Sequence, residues 1–235
     1  MTKEWLVDDS VPLTHADLAE ISRAELPAGY TVRGAGSPPT LAITLHDVTV
    51  HNVHKWFGGA DLRLDALVVH GTSASKNKRY YQPGTFRFSG VRDGQRLAID
   101  TGGLLIFYGK PRHFLDIFIT ASRDRSDSDD LATMLATQAE SPQFGSAIAQ
   151  VAALAAGGVA AVIPAALQSA AYLGGLAYKL ISNVSGSTLG LYRTSWLQVR
   201  DGFGIGPHPD SGVFRPEGAD ISFRYEIQAE DASPQ

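Results

Sequence analysis

The chain has 235 residues, of which 44% are hydrophobic and 19% charged, and its formal net charge is -4 at pH 7. This composition is typical of a globular protein, and the negative charge argues against binding to the phosphates of nucleic acid. Because the chain contains no cysteine, disulfide bonds, thiolate metal sites and cysteine nucleophiles are all excluded.

Residues 1–39 are predicted to form a leader to the main fold. Thr14 and Asp17 are typical of a helix cap, which predicts a short helix over residues 15–26. Prolines and glycines then interrupt the chain up to residue 39. The first nine residues lack the apolar core of an export signal, so we expect a cytoplasmic protein, either free or attached peripherally to a membrane.

From Thr40 onwards, alternating apolar and polar residues predict β-strands. The eight runs lie at residues 41–50, 62–69, 86–88, 97–99, 104–108, 115–119, 189–199 and 221–227. A slip in the alternation at His46 and Asp47 predicts a β-bulge. Most runs are half polar, which favours two antiparallel sheets. We therefore predict a mainly β fold, an eight-stranded antiparallel β-sandwich over residues 40–228, followed by a flexible tail at 229–235.

A long neutral segment interrupts the strand pattern. Residues 127–182 are predicted to be a helical insertion, and residues 141–178 contain no charged side chain. A glycine pair and a proline divide the neutral part into helices near 145–156 and 164–181. Small residues recur at a spacing of four, which allows helix backbones to pack closely. The insertion is therefore predicted to be a helical hairpin that packs on the sandwich or a second subunit, or else contacts a membrane.

Apolar positions within the insertion are the candidates for an interface with lipid or with another protein chain. They are Val151, Leu154, Val162, Leu167 and Leu173. Soluble monomers seldom expose contiguous apolar patches, so the exposure of these side chains decides between an interface and a packed hairpin. The many alanines and the interrupting glutamines argue against a helix that spans a membrane.

Two segments of the strand pattern carry a further resemblance. The first is Leu41-Ala-Ile-Thr-Leu-His-Asp-Val, followed by a loop to Gly58-Gly59-Ala60-Asp61 and the next strand. The second is Phe114-Leu-Asp-Ile-Phe-Ile-Thr, followed by the acidic residues 122–130. These segments resemble two strands and two calcium loops of the C2 domain, a β-sandwich family often used for attachment to lipid. The resemblance implies a C2-like sandwich whose loops approach a membrane, with or without calcium.

The same resemblance implies a calcium site. The carboxylates that fall at its ligand positions are Asp61, Asp124 and Asp130, with Asp127 and Asp129 as neighbours that would complete the set. Lys55 and Ser122 stand where the family places two further acids, and calcium prefers six to eight oxygen ligands. The alternative interpretation of these aspartates is a solvated loop that begins a helix.

Aromatic and basic side chains predict a surface that contacts membranes. Trp56 and Phe57 lie at the tip of the first predicted loop, next to Lys55 and a glycine pair. The basic side chains of the following loop, which would meet anionic headgroups, are Lys76, Lys78 and Arg79.

No pattern in the sequence assembles a catalytic site. The sequence therefore favours a non-enzymatic, membrane-associating protein whose partner is anionic lipid and whose implied cofactor is calcium. The alternative is a protein-interaction or assembly module, in which the helical insertion forms the interface of a homo-oligomer or binds a protein partner.

Overall fold

The computed structural model describes residues 39–71, 80–125, 127–155 and 163–230. Within these ranges the protein is mainly β, with two antiparallel sheets and with its helices late in the chain. The predicted N-terminal helix lies outside the described residues. No helix of the described part combines the length and the hydrophobicity needed to cross a membrane.

The strands are β1 (Thr40–Val50), β2 (Ala60–His70), β3 (Tyr81–Val91), β4 (Gln95–Arg96), β5 (Leu104–Gly109), β6 (Phe114–Arg123), β7 (Thr188–Leu197), β8 (Gly206–His208) and β9 (Ile221–Glu230). The helices are α1 (Leu131–Ala136), α2 (Pro142–Ala155), α3 (Ile163–Val184) and the single turn α4 (Gln198–Asp201). In the first sheet β1 pairs with β9 on one side and with β4 and β5 on the other, and β8 pairs with β9. The second sheet has the order β3-β2-β6-β7.

Most of the predicted strands form, but residues 97–99 do not form a strand. Their alternation has another cause, because Leu97 is buried in the core while its backbone N–H donates to the carbonyl of Val48 at 2.8 Å. Strands β4 and β8 are too short to produce an alternating pattern. The predicted bulge is confirmed, since the register of β1 against β9 shifts between His46 and Thr49.

One hydrophobic core lies between the two sheets. Inward residues of β1 and β2 stand two positions apart, as a strand with one core-facing side requires. They are Leu41, Ile43 and Leu45 from β1 and Leu62, Leu64, Ala66 and Val68 from β2. Residues of β6 and β9 complete the same cluster, so the two sheets pack face to face in a sandwich-like arrangement.

The helices pack on the outer face of the second sheet, so its central strands β2 and β6 are buried on both sides. A second apolar cluster joins Leu67 of β2 and Phe118 of β6 to residues of α1, α2 and α3. A Cβ added to Gly174 of α3 would lie 3.4 Å from the Phe118 ring, so a small residue at this position allows close contact between helix and sheet. Ala166 and Ala170, at the predicted spacing of four, are buried in the same cluster.

This packing corrects the prediction that the insertion presents an apolar interface. Val151 and Leu173 are 0% and 1% exposed within the cluster under the helices, and Leu167 packs against the same cluster half-buried. The side chain of Leu154 and the whole of Val162 lie outside the described residues. Of the two packed arrangements that the sequence allows, the structure places the helices on this chain's own sheet.

The solvent-facing side of the insertion is made of polar and small residues. On α2 and α3 these exposed residues include Gln143, Ser146, Gln150, Gln168, Gly175, Lys179, Ser182 and Asn183. Tyr172, at 38% exposure, is the exception among the described large side chains of the two helices. The described part of the neutral segment therefore packs its apolar side against the second sheet.

Truncating Leu173 to alanine should lower the free energy of unfolding by about 2–5 kcal/mol, because it opens a cavity between α3 and the second sheet. Leu105→Ala is the matched control, since Leu105 is 52% exposed on β5 and its truncation should cost less than about 0.5 kcal/mol. Urea denaturation measures both. Equal costs would contradict the burial of the insertion.

A buried histidine lies at the far end of β2. His70 is almost fully buried, and its ring centroid lies 5.1 Å from that of Phe107. Burial lowers the pKa of His70 from its ordinary 6.5 to about 4. Between these two pH values the unfolded chain binds a proton at His70 that the folded chain does not bind, so stability is lost as the pH falls.

We expect this difference to appear in His70→Leu. Between about pH 7 and about pH 5 the unmodified protein should lose about 2 kcal/mol more unfolding free energy than the variant, which has no group to protonate at this position. Urea denaturation of both proteins at the two pH values isolates the contribution, because all other titrating groups are shared. If both proteins lost the same unfolding free energy between these pH values, His70 would bind a proton as readily in the folded state as in the unfolded state, which would contradict the prediction.

Candidate functional site

The loop between β1 and β2, residues 51–59, carries the two most exposed aromatic side chains of the described residues; we name it the aromatic loop. Trp56 is 93% exposed and Phe57, beside it, is 83% exposed. Single exposed apolar side chains are common on protein surfaces, but two adjacent large aromatic rings expose a large apolar area to water. Such an arrangement indicates contact with another apolar surface.

Hydrogen bonds to two other loops hold the first half of the aromatic loop. The backbone N–H of Val53 donates to Oδ1 of Asp93 at 2.7 Å, and the Val53 side chain is buried in the core. Nε2 of His54 lies 2.7 Å from Oδ2 of Asp220, which directly precedes β9. His54 has a φ of 52°, a left-handed conformation that non-glycine residues seldom adopt. The loop therefore keeps its shape through partners distant in sequence.

The second half of the aromatic loop is closed by contacts at its glycines. Nζ of Lys55 donates to the carbonyl of Gly59 at 2.7 Å. Gly58 has a φ of +75°, which suits glycine, and a Cβ on Gly59 would lie 2.3 Å from the carbonyl oxygen of Gly90 at the end of β3. A loop held in this way loses less conformational entropy when it binds a partner.

A surface cavity of about 430 Å³ lies beside Trp56 and is lined by Asn52, His54, Lys55 and Trp56. Its lining therefore combines the aromatic ring of Trp56 with the amine of Lys55, the imidazole of His54 and the amide of Asn52. An ammonium group has three N–H donors, so Lys55 keeps two for a ligand after its bond to Gly59. The cavity suits a small group that accepts hydrogen bonds.

Two of the aspartates predicted to bind calcium are bound by an arginine. They lie in the loop after β6, residues 124–130, which we name the acidic loop. Nε of Arg87 donates to Asp124 at 3.0 Å, its Nη1 binds Oδ1 of Asp130, and its Nη2 donates to the carbonyl of Ser128 at 2.6 Å. The hydrogen bond that Arg87 donates to Asp130 is the main cause that raises the pKa of Arg87. A guanidinium thus binds the oxygens that a calcium ion would require.

A second arginine supports the acidic loop from the interior. Arg63 is completely buried, and its Nε and Nη2 donate to the two carboxylate oxygens of Asp65 at 2.7 and 2.8 Å. Its Nη1 donates to Oγ of Ser128 at 2.8 Å and lies 4.0 Å from Asp124. Ser128 in turn donates to Asp124 at 2.6 Å. The network compensates the charge of Asp124 and ties the acidic loop to β2.

The remaining predicted calcium ligands have other surroundings, although the backbone N–H of Asp124 donates to the carbonyl of Asp61 at 2.7 Å. Oδ1 of Asp61 accepts the backbone N–H of Gly90 at 3.0 Å, while Asp127 and Asp129 are exposed. Across the described ranges, no three His, Asp or Glu side chains are grouped so as to hold a metal ion. Asp124 and Asp130 are thus paired with Arg87, an arrangement that differs from the free carboxylates that the resemblance implies.

The structure brings together three of the predicted membrane contacts, Trp56, Phe57 and Lys55, in the aromatic loop. The predicted basic stretch of Lys76, Lys78 and Arg79 lies outside the described residues. Sequence reasoning did not assign a role to Asn52, His54 or Asp220. The local signal available was Val53, an apolar residue among the polar residues 51–55, which indicates that this half of the loop is anchored in the core.

No protein-family model matches the sequence, and no curated protein is significantly similar to it. The resemblance to C2 domains therefore stays a prediction, and the aromatic loop is the feature from which a function is inferred.

Proposed function

We propose that the protein is a non-enzymatic membrane-binding module that attaches to phospholipid bilayers through the aromatic loop and does so without calcium. The observation that carries the proposal is the near-complete exposure of Trp56 and Phe57 on a loop held by hydrogen bonds to Asp93 and Asp220. Because the loop already presents both rings outward, it can enter the membrane interface without a change of fold.

Aromatic side chains are favoured where a bilayer meets water, since their rings are apolar and, in tryptophan, one edge carries an N–H donor. Burying a large apolar side chain contributes about 1.5–3 kcal/mol, so Trp56 and Phe57 together supply about 3–6 kcal/mol before the costs of association. This magnitude fits reversible, peripheral attachment. It is far below the stability of a helix that spans a membrane.

The charges around the aromatic loop favour an anionic membrane surface. Lys55 is exposed beside Trp56, and Nη1 of Arg123 lies 3.4 Å from the carbonyl oxygen of His54. Oδ2 of Asp220 lies 2.7 Å from Nε2 of His54, and its Oδ1 lies 3.5 Å from Nη2 of Arg215. Two aspartates of the acidic loop are likewise paired with arginine. Each exposed basic residue near an anionic surface adds about 1 kcal/mol of attraction.

The proposed attachment does not require calcium, because Arg87 and Arg63 supply the positive charge that balances the aspartates of the acidic loop. Co-sedimentation with vesicles of phosphatidylcholine and phosphatidylglycerol in equal parts tests this, with calcium in one series and a chelator in the other. The protein should bind equally in both. Absence of binding in both series would refute membrane attachment, and binding with calcium alone would contradict the role given to the arginines.

The alternative function, an assembly module that uses the helical insertion as its interface, has less support. Val151 and Leu173 are buried against the chain's own second sheet, and the described outer faces of α2 and α3 are largely polar. A stable oligomer interface is expected to bury a large apolar patch. We therefore assign no interface to the insertion.

A further inference from the structure

We infer that the cavity beside Trp56 binds the phosphate of an anionic phospholipid headgroup. This inference rests on the proposed membrane attachment and names the lipid group that the attached protein recognises. The cavity, lined by Asn52, His54, Lys55 and Trp56, opens next to the ring that enters the bilayer. A headgroup would therefore reach the cavity from the membrane that the aromatic loop contacts.

The donors of the cavity fit a phosphate. Lys55 has two N–H donors left after its bond to Gly59, and its ammonium carries a full positive charge. Oδ1 of Asn52 accepts the backbone N–H of His54 at 2.8 Å, which fixes the amide as a part of the cavity wall. Charge-assisted hydrogen bonds to phosphate are stronger than those between neutral groups.

An anion is favoured over a cation because Lys55 itself lines the cavity, whereas the carboxylate of Asp220 is held by His54 and Arg215. Asp220 contacts His54 at 2.7 Å and lies 3.5 Å from Nη2 of Arg215. The ammonium of Lys55, in contrast, contacts the carbonyl of Gly59, and within the described residues it forms no salt bridge. Next to a bilayer the local dielectric constant falls, which strengthens the attraction between Lys55 and a phosphate.

The exposed rings favour a lipid over free phosphate as the ligand. A phospholipid offers an anionic phosphate and an apolar region in one molecule, and the aromatic loop presents Lys55, Trp56 and Phe57 consecutively. Free phosphate would engage Lys55 alone and would leave both rings in water. Only a lipid supplies both a negative charge for the cavity and an apolar region for the rings beside it.

The experiment compares Lys55→Gln with Arg92→Gln, two variants that each remove one exposed positive charge from the same end of the protein. Arg92 is a suitable control because its side chain is exposed, while its backbone N–H and carbonyl form hydrogen bonds with Gln95 that the substitution leaves in place. Binding is measured on vesicles of phosphatidylcholine alone and of phosphatidylcholine with phosphatidylglycerol in equal parts. Arg92→Gln should weaken binding to the anionic vesicles by no more than the roughly fivefold expected for one surface charge. Lys55→Gln should weaken it at least about tenfold, because it also loses direct hydrogen bonds to the phosphate. Both variants should bind phosphatidylcholine nearly as well as the unmodified protein, since the positive charge of choline offsets its phosphate.

Each contrary outcome has a distinct meaning. Equal weakening by the two variants would show diffuse attraction and overturn the headgroup site. An unmodified protein that binds both vesicles equally well would also overturn the site, while the aromatic attachment would stand. If it bound neither vesicle, the proposed function itself would fail. In a further arm, inorganic phosphate that changes Trp56 fluorescence without vesicles, but not in Lys55→Gln, would identify a free anion as the ligand and overturn the lipid assignment.

Discussion

Replacing both Trp56 and Phe57 with alanine should weaken binding to phospholipid vesicles by at least about a hundredfold, because the variant loses the apolar area that enters the bilayer. The fold should be unaffected, since both side chains are exposed and truncation of surface residues changes stability by less than about 0.5 kcal/mol. Vesicle co-sedimentation gives the affinity, and urea denaturation gives the stability of the same preparation.

The matched control is Leu105→Ala combined with Tyr108→Ala. These side chains are about half exposed on β5, outside the aromatic loop, so the control also removes two exposed apolar groups. Vesicle binding of the control should equal that of the unmodified protein. If the two double variants lost affinity to the same extent, the attachment would depend on general surface hydrophobicity, and the aromatic loop would have no special role.

The second large effect concerns the buried pair beneath the acidic loop. Arg63→Ala should lower the free energy of unfolding by about 3–5 kcal/mol, because the carboxylate of Asp65, with no exposed surface, loses its charged partner. Chemical denaturation measures the loss. Replacing the pair together, as Arg63→Met with Asp65→Leu, should recover much of the stability, since no unpaired charge then remains in the interior.

A surface ion pair serves as the control for this variant. Arg96 pairs with Asp47 and its side chain is 68% exposed, so Arg96→Ala should cost less than about 1 kcal/mol. If Arg63→Ala and Arg96→Ala lowered the free energy of unfolding by comparable amounts, burial would not increase the contribution of the Arg63–Asp65 pair to stability.

The buried pair also positions the start of the helical insertion. Oγ1 of Thr85 donates to Asp65 and accepts the backbone N–H of Leu131, the first residue of α1, at 2.9 Å. Arg63 contacts Ser128 in the preceding loop. Loss of Arg63 should therefore loosen the acidic loop and α1 before it affects the aromatic loop, which has separate anchors in Asp93 and Asp220.

Local periodicity was sufficient to predict most of the strands and both long helices. The helices predicted at 145–156 and 164–181 occur as α2 and α3, with ends that differ by at most three residues. Such patterns survive because a strand with one buried face, or a helix with one buried stripe, shows its period in any fold. Leu97 misled the prediction because a buried loop residue can imitate that period.

The location of the insertion could not be predicted from the same patterns. A neutral, alanine-rich helix is compatible with a membrane, a subunit interface or a protein core, and the choice depends on which surface the fold leaves uncovered. Here the outer face of the second sheet supplies Leu67 and Val69 from β2 and Phe118 from the neighbouring strand β6. Only their side-by-side pairing produces a surface that fits α3.

The functional site was predicted in part. Trp56 and Phe57 at a loop tip follow from local sequence, because a glycine pair after two aromatic residues favours a turn that exposes them. The contacts that hold the aromatic loop in place do not follow from local sequence, since His54 and Asp220 are 166 positions apart. The pairing of Arg87 with Asp124 and Asp130 spans 37 and 43 positions, so the sequence motif alone indicated free carboxylates.

The most direct test of membrane attachment is the quenching of Trp56 fluorescence by phospholipids brominated on their acyl chains. Trp56→Phe provides the blank, because it retains the other two tryptophans, Trp5 and Trp196. If the aromatic loop enters the bilayer, the fluorescence that Trp56 contributes will fall when brominated vesicles replace ordinary ones. Equal fluorescence on both kinds of vesicle, in protein that has bound them, would show that Trp56 stays outside the acyl region and would contradict the proposed attachment.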